Sequence, residues 1–423
     1  MLKIKILGAG QEVGRAGILV SSDKENILLD YGIELGEEEP LFPLSYPPKL
    51  LSAVILTHAH LDHSGAIPLL YVSANPPLFT NSLTLNLSEV LINDFLKISK
   101  YYIPYESIEV IAVKENFVDV NYGRRVELGN IEFELYNAGH IPGSSMVLLD
   151  MNDVKVLYTG DFNTERSCLL EPATLEPFKK ADLIIMEGTY ASYDHPKRKS
   201  NEKLFVDSVE EVLDRKGVVL IPSFAVGRAQ EILCVLAKYG ISYPVYLDGM
   251  ARLVSEILLR NKNMLRDPKL FSKAYRIAKK VNGWSMRKRV LKEPSVIISP
   301  AGLLKGGAAV FYMEKIMEDP KNAIFFVSYL MRGTPARKVI ETGIFASEKK
   351  MGSVKARVEW FDFSSHCGRS DLLKAIDHTS KDSKIVLIHS EKEVGKSFVD
   401  YLREKKGKEV YFPNTGEEIV IQK

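Results

Sequence analysis

Apolar side chains occupy every second position at the start of the chain, with Leu2, Ile4 and Ile6 alternating with Lys3 and Lys5, and the pattern stops at Gly8-Ala9-Gly10. A period of two marks a β-strand. The N-terminus, Met1 to Leu7, therefore reads as a first strand and not as a secretion signal. Similar short runs, bounded by Gly, Ser and Pro, predict strands at Gly17–Val20, Asn26–Asp30 and Ala53–Thr57. A helix is predicted from Ser64 to Tyr71, with others within Ser82–Ser99. Strands return at Ile131–Asn137, Ser145–Asp150, Lys155–Thr159 and Leu183–Glu187. Short polar loops separate them: His140-Ile141-Pro142-Gly143, Gly160-Asp161-Phe162-Asn163 and Gly188-Thr189-Tyr190.

After Tyr190 the rhythm changes. Val218–Ile221, Val296–Ser299 and Ala323–Met331 are apolar runs, each followed by a glycine-containing loop and a helical pattern. Strand, loop and helix in repetition predict a parallel α/β sheet covered on both faces, with ligands at the carboxyl ends of the strands. Lys384–His389 returns to a strand, followed by a helix over Val394–Lys405 and a closing strand at Val410–Phe412. The chain thus reads as a first domain over 1–190, an inserted domain over 191–370, and a return to the first over 371–423. No internal repeat or low-complexity tract interrupts this order.

A length of 423 residues is consistent with two or three domains of about 150 residues each. The apolar fraction of 46% is that of a globular protein and too high for a disordered one. No stretch reaches the roughly 18 consecutive apolar residues of a membrane helix, so a membrane protein is excluded. Cys168, Cys234 and Cys367 are far apart and form no C-x-x-C pair. That spacing speaks against a disulfide scaffold and a Cys-ligated zinc site, and idle thiols fit a reducing cytoplasm. The net charge is only +2, yet from Arg260 to Lys292 twelve basic residues face Asp267 alone. That stretch carries +11 and the remainder −9. It is either a seat for a polyanion or a solvated helix face.

The strongest chemical signal is Thr57-His58-Ala59-His60-Leu61-Asp62-His63, which follows an apolar strand and precedes a helix start. His58 and His60, two apart on an extended segment, can reach one metal ion; Asp62 and His63, on the turn into the helix, can reach a second. Imidazole and carboxylate are the ligands zinc takes in hydrolytic sites. His140, Asp161 and His389 each lie just past an apolar strand, where a rigid scaffold presents ligands, and an aspartate can bridge two ions. Paired metals suit phosphoester hydrolysis: they bring a bridging water toward a neutral pKa and offset phosphate charge. A general acid must then protonate the leaving oxygen.

These residues resemble the signature of the metallo-β-lactamase fold, an αββα sandwich. Asp30, in Leu28-Leu29-Asp30-Tyr31-Gly32, is similar to the aspartate that supports the ligand loop in that superfamily. Met186-Glu187-Gly188-Thr189-Tyr190, Phe363-Ser364-Ser365-His366 and Leu387-Ile388-His389-Ser390-Glu391 resemble motifs A, B and C of the β-CASP nucleases. Phe224-Ala225-Val226-Gly227-Arg228-Ala229-Gln230-Glu231 and Gly333-Thr334-Pro335-Ala336-Arg337 look like further landmarks of that group. The resemblance implies two Zn²⁺, one held by His58, His60 and His140, the other by Asp62, His63 and His389, with Asp161 bridging. It further implies that His366, held by Glu187, is a leaving-group acid or phosphate ligand. Asp62 belongs among the catalytic residues in this reading, and Arg228, Arg337 and Ser365 are candidate substrate contacts. The insertion would be a parallel α/β β-CASP domain that clamps substrate. Two departures concern loop geometry: Ser390 replaces the glycine of many relatives, and Pro335-Ala336 replaces the more usual pair.

Histidine at position 389 resembles the RNA-processing branch of the family; the DNA-repair branch usually has valine. The chain is most similar to the short archaeal cleavage-and-polyadenylation-factor-like group without KH modules. The leading expectation is a zinc-dependent ribonuclease acting on single-stranded RNA in the cytoplasm, with 5′→3′ exonuclease action favoured over endonuclease action. Lysines and arginines of the insertion, and the loop at Gly302–Gly307, would grip phosphates. A small-molecule hydrolase such as a thioesterase is opposed by Glu187, His366 and the large insertion. A non-catalytic scaffold subunit is opposed by the complete ligand set, and a DNA nuclease by His389. A homodimer through the last strands and helices is one expectation for assembly; a monomer is the other.

Overall fold

Leu2–Gly8, Gly17–Ser21 and Asn26–Leu29 pair antiparallel in sequence order, and Ala53–Ile55, Leu78–Thr80 and Phe117–Asp119 extend the sheet in parallel. Glu418–Ile421 closes its other edge against Leu2–Gly8, giving seven strands. The computed structural model of the chain describes residues 2–35, 39–99 and 101–421; Met1, included in the expected first strand, lies outside them. A second seven-stranded sheet runs in the order Val410–Tyr411, Lys384–Ile388, Leu183–Glu187, Val154–Tyr158, Ser145–Met151, Ile131–Asn137, Arg125–Leu128. Period-two patterning explains how the sheets meet. Ile4, Ile6, Ile18 and Ile55 from the first and Phe133, Leu149, Val156 and Ile185 from the second form one apolar cluster between them. Their outer faces are covered by helices: Ile67, Leu70, Leu85 and Phe95 on one side, Phe178, Leu372, Ile376 and Phe398 on the other. This is the αββα sandwich.

The helix predicted over Ser64–Tyr71 is instead two short ones, Leu61–Ser64 and Ile67–Leu70. Asp62 and His63 therefore lie on the first helical turn, not before it. The break has a backbone cause. The carbonyls of Leu61, Asp62 and His63 accept from Ile33, Ala16 and Tyr31 N–H groups, and Ala66 N–H donates back to the Tyr31 carbonyl. Pro68 has no N–H with which to continue the earlier turn. The approach is so close that a Cβ on Gly32 would fall 1.8 Å from the Asp62 carbonyl oxygen; only glycine fits there.

The chain divides into two units, Met1–Arg166 with Pro172–Asp194 and Ser365–Lys423, and Ser167–Glu171 with His195–Ser364. The second unit holds a six-stranded sheet, Lys279–Lys280, Val245–Leu247, Ser295–Ser299, Val218–Pro222, Ala323–Phe326 and Arg357–Trp360, parallel throughout. The strand expected over Ala323–Met331 stops at Phe326, because its neighbour Arg357–Trp360 runs out in register with that residue. Inside this unit the buried Glu231 carboxylate accepts from Cys168 and Leu169 N–H groups (2.9 and 2.7 Å) and pairs with Arg198. That pairing ties Ser167–Glu171 to the second unit. The flanks of the insertion differ from 191–370: Tyr190 bridges Gly368, Arg369 N–H donates to the Tyr193 carbonyl, and Ser370 N–H donates to Asp194 (2.6 Å). Ser365 and His366 thus belong to the first unit.

Candidate metal centre and catalytic site

Strand ends of the first unit supply every candidate ligand. Val154–Tyr158, Leu183–Glu187 and Lys384–Ile388 are adjacent and parallel, so Asp161, Glu187 and His389 emerge along one edge. His140 follows Ile131–Asn137, and His58 to His63 follow Ala53–Ile55 in the facing sheet. The ligand atoms of His58, His60, His140 and Asp161 lie within 4.8 Å of one another. Those of Asp62, His63, Asp161 and His389 do the same, as do those of Asp161, Glu187 and His366. Asp161 is common to all three groups. Its Oδ2 is 3.6 Å from His58 Nε2, 3.6 Å from His140 Nε2, 3.4 Å from His63 Nε2 and 4.0 Å from His366 Nε2. His389 Nε2 stands 3.5 Å from Asp62 Oδ2.

The outer nitrogen of each ring fixes its tautomer. His63 Nδ1 donates to Asp30 Oδ2 at 2.7 Å and His140 Nδ1 to the Ser365 carbonyl at 2.9 Å. Thr57 Oγ1 donates to Asp30 Oδ2, so it accepts from His58 Nδ1 at 3.0 Å. Thr189 Oγ1 donates to Glu187 Oε2, so it accepts from His389 Nδ1 at 3.0 Å. In all four rings Nε2 is left facing the centre, the arrangement that orients metal-binding imidazoles. His60 differs, turning Nδ1 inward to 3.1 Å from His140 Nε2. A shared proton or a shared cation satisfies both nitrogens. Asp30 and His389 hold these positions with φ of +56 and +48, a backbone state that non-glycine residues keep only where surroundings impose it. His389 N–H donates to the Ala9 carbonyl at 2.8 Å. Ser390 does not adopt a positive φ, so serine needs no strain where relatives carry glycine.

Charge is divided unequally among the rings. Burial, with neighbouring imidazoles, holds His58 and His140 well below the ordinary histidine range, and His60 at about 4. These three rings are neutral near pH 7. Burial acts in the same sense on His63 and His389, but Asp161 with Asp30 for the first, and Asp161 with Asp62 for the second, raises both. Asp161 and Asp62 are held below the carboxylate range by the same histidines, against burial. His58 Nε2, His63 Nε2, His389 Nε2 and Asp161 Oδ1 are buried and make no hydrogen bond. Converging ring nitrogens and a carboxylate oxygen without hydrogen-bond partners are what a divalent cation satisfies. The residues therefore fit a metal centre. Asp62, with 31% of its side chain exposed, and His366, with 15%, mark its open side.

His366 Nδ1 lies 2.9 Å from each Glu187 oxygen. Burial lowers this ring, but Glu187 and Asp161 outweigh it and raise His366 to about 9. Ser365 contributes its backbone carbonyl to His140. Arg228 and Arg337 belong to the second unit: Arg228 is buried at the start of the helix Arg228–Tyr239, and Arg337 pairs with Glu341 at 2.6 Å. Sequence reasoning missed Thr57, Thr189 and Tyr158, whose hydroxyl donates to Asp30 Oδ2 at 2.8 Å. Thr57 and Thr189 were visible only as neighbours of His58 and Glu187.

Comparison with known proteins agrees with this geometry. The Metallo-beta-lactamase superfamily model matches residues 11–208 and the Beta-Casp domain model residues 229–339. The Zn-dependent metallo-hydrolase RNA specificity domain model matches residues 351–413. A protein named RNase aCSPSF2 from Saccharolobus solfataricus is 43% identical over 99% of this chain and 85% of its own length. Methanocaldococcus jannaschii has a probable RNase MJ4, 35% identical over 99% of this chain and all of its own, and a transcription termination factor FttA, 34% identical over 97% and 70%. A crystal structure of a protein of unknown function from Enterococcus faecalis V583 shares the fold, with a TM-score of 0.65 at 19% identity over 99% of this chain and 100% of that one. Fold and site together define a metallo-β-lactamase-type hydrolase. Within that class, the chain belongs to the β-CASP family of metal-dependent ribonucleases, in its archaeal cleavage-and-polyadenylation-factor-like group.

Proposed function

We propose that this protein hydrolyses phosphodiester bonds of single-stranded RNA in the cytoplasm at a two-zinc centre, working in the 5′→3′ direction. The observation that carries the chemistry is the meeting of three groups on Asp161: two ligand sets and the His366–Glu187 pair. His58 Nε2, His60 Nδ1 and His140 Nε2 would hold one ion, Asp62, His63 Nε2 and His389 Nε2 the other, with Asp161 bridging. When bound, such an ion pair supplies an activated water and offsets phosphate charge. The chain's own residues do the rest. Both Glu187 oxygens face His366 Nδ1, which fixes the ring and keeps that nitrogen protonated. His366 Nε2 then carries a second proton at neutral pH and delivers it to the leaving ribose oxygen. Thr189 links Glu187 to His389 through one hydroxyl, so acid and ligand are oriented together.

The test uses RNA bearing a 5′-monophosphate or 5′-triphosphate, with zinc supplied. Mononucleotides released from the monophosphorylated end support the proposal; internal fragments from both substrates replace it with endonuclease action. His60→Ala and Asp62→Asn should abolish cleavage and leave the fold intact. Undiminished cleavage by either variant removes the metal centre from the mechanism. Intact RNA beside a rapidly hydrolysed thioester makes the protein a small-molecule hydrolase.

A further inference from the structure

The basic stretch found in the sequence takes a definite form in the second unit. Lys262, Lys269, Lys273 and Arg276, with Pro268 and Ser272, line an open cleft of about 340 Å³ along the helix Pro268–Ile277. Lys269, Lys273 and Arg276 follow one another at spacings of four and three, which puts them on one helix face. No acidic side chain lines this cleft, and among the described residues none of the four cations has an ion-pair partner. Asp267, the lone acid of the stretch, is taken by the helix start, where its Oδ1 accepts from Leu270 N–H at 2.8 Å. Like charges at such spacings destabilise a helix by about 0.2–0.5 kcal/mol per pair. An anionic ligand would offset this repulsion.

A second observation comes from the same stretch. Trp284 is 60% exposed yet held in place. Its ring meets Phe311 edge-on at 5.3 Å, and the Arg287 guanidinium lies 4.7 Å from its centroid. Arg287 is itself fixed by two bonds to the buried Asp248 (2.8 and 3.1 Å), which also accepts from Tyr312 at 2.8 Å. A rigid exposed indole a few residues along the chain from a cleft of unpaired cations is what a flexible strand with free bases binds: cations take phosphates, and the aromatic face stacks a base. The overall aromatic content gave no sign of such a platform.

We propose that Lys262 to Arg289 forms an accessory surface for single-stranded RNA, in which the cleft on helix Pro268–Ile277 takes backbone phosphates and Trp284 stacks a base. This rests on RNA being the substrate. The surface grips sequence-independently and keeps a long RNA on the enzyme between cleavage events.

Binding is measured in EDTA, so that cleavage plays no part. Trp360→Phe leaves Trp284 as the single indole, and its fluorescence is followed during titration with homopolymeric RNA at several salt concentrations. Saturable quenching is expected. The triple variant Lys269→Gln, Lys273→Gln, Arg276→Gln should flatten the slope of log affinity against log salt by about 2, at about 0.7 for each phosphate no longer neutralised. Trp284→Ala should weaken binding about 5- to 100-fold. Both variants should keep wild-type kcat on a dinucleotide, with KM raised on long RNA alone. Thermal unfolding of the triple variant should match or exceed wild type, since helix repulsion is relieved. An unchanged slope in the triple variant, while wild type still cleaves RNA, overturns the surface and leaves the substrate reading intact. Wild-type binding with these slopes but no cleavage overturns the substrate reading and keeps the surface. Tighter competition by anionic vesicles than by RNA overturns both the stacking and the RNA assignment.

Discussion

Replacing Asp30 with asparagine changes one atom in a residue that never touches the central space. Asp30 Oδ2 accepts from Thr57 Oγ1, His63 Nδ1 and Tyr158 OH at 2.7, 2.7 and 2.8 Å, and Oδ1 accepts from Thr57 N–H at 2.7 Å. Asparagine keeps the size and tolerates φ of +56. Its amide nitrogen, however, must face either three donors or one. The better choice puts it against Thr57 N–H and leaves one buried donor unpaired, at a cost of about 1–3 kcal/mol. His63 also loses the anion that orients it, which in comparable metal sites weakens affinity by about 10- to 100-fold. Zinc affinity is read by competition with a chromophoric chelator and stability by chemical denaturation. The expected variant folds, binds zinc at least tenfold more weakly, and recovers activity at high zinc. A variant that binds zinc as wild type does would refute the orienting role assigned to Asp30. Alanine at the same position should be worse on both counts, since it strands all four donors.

Other perturbations read different parts of the molecule. His366→Ala should lower kcat by about 10²- to 10⁴-fold with bound metal unchanged by atomic absorption. Because the acid form of His366 is required, the wild-type rate should fall as pH climbs toward about 9, earlier when cations sit nearby, and His366→Gln should lack this limb. Zinc binding should release protons, since His63 and His389 are raised by their carboxylate neighbours; calorimetry in buffers of different ionisation enthalpy measures this, and zero release contradicts it. In the second unit, Glu231→Ala should cost about 1–3 kcal/mol for each of the two buried N–H groups it leaves unpaired, by denaturant titration, while Arg198 keeps its pair with Glu202. Burial opposes the charge of Glu202, but Lys238 and Arg198 win and lower its pKa. Its contribution to stability is therefore full above the unfolded carboxylate pKa of about 4.3 and lost as pH falls below it, and denaturation at pH 3 and pH 7 tests the sign.

The cluster of candidate ligand histidines was legible because metal chemistry restricts such residues to few types and strand ends restrict them to few places. Residues 58 to 63 carry that pattern locally, and His140, Asp161 and His389 repeat its context. The hydroxyls of Thr57, Thr189 and Tyr158 were not legible, because a threonine or tyrosine near a strand end has many ordinary uses; only the ring nitrogens opposite them reveal their work. The split of the helix after Ser64 was hidden for a related reason. Its cause is the backbone of Ala16 and Tyr31 to Ile33, remote in sequence, claiming its carbonyls. Short strands such as Val245–Leu247 and Lys279–Lys280 carry too few residues for a period to register. Exposure of Trp284 could not be read at all, since an indole on a helix is more often buried.

Where the chain departs from the first unit and where it comes back, the two ends are already stitched side by side by Tyr190 with Gly368, Tyr193 with Arg369, and Asp194 with Ser370. To the host sandwich, the 170 intervening residues from His195 to Ser364 are therefore a loop closed at its base, and loop length weighs only logarithmically on closure entropy. Swapping everything between His195 and Ser364 for a short glycine-serine bridge would leave the αββα scaffold its own termini to join, a route to a miniature hydrolase in which ion capture and substrate choice are studied apart.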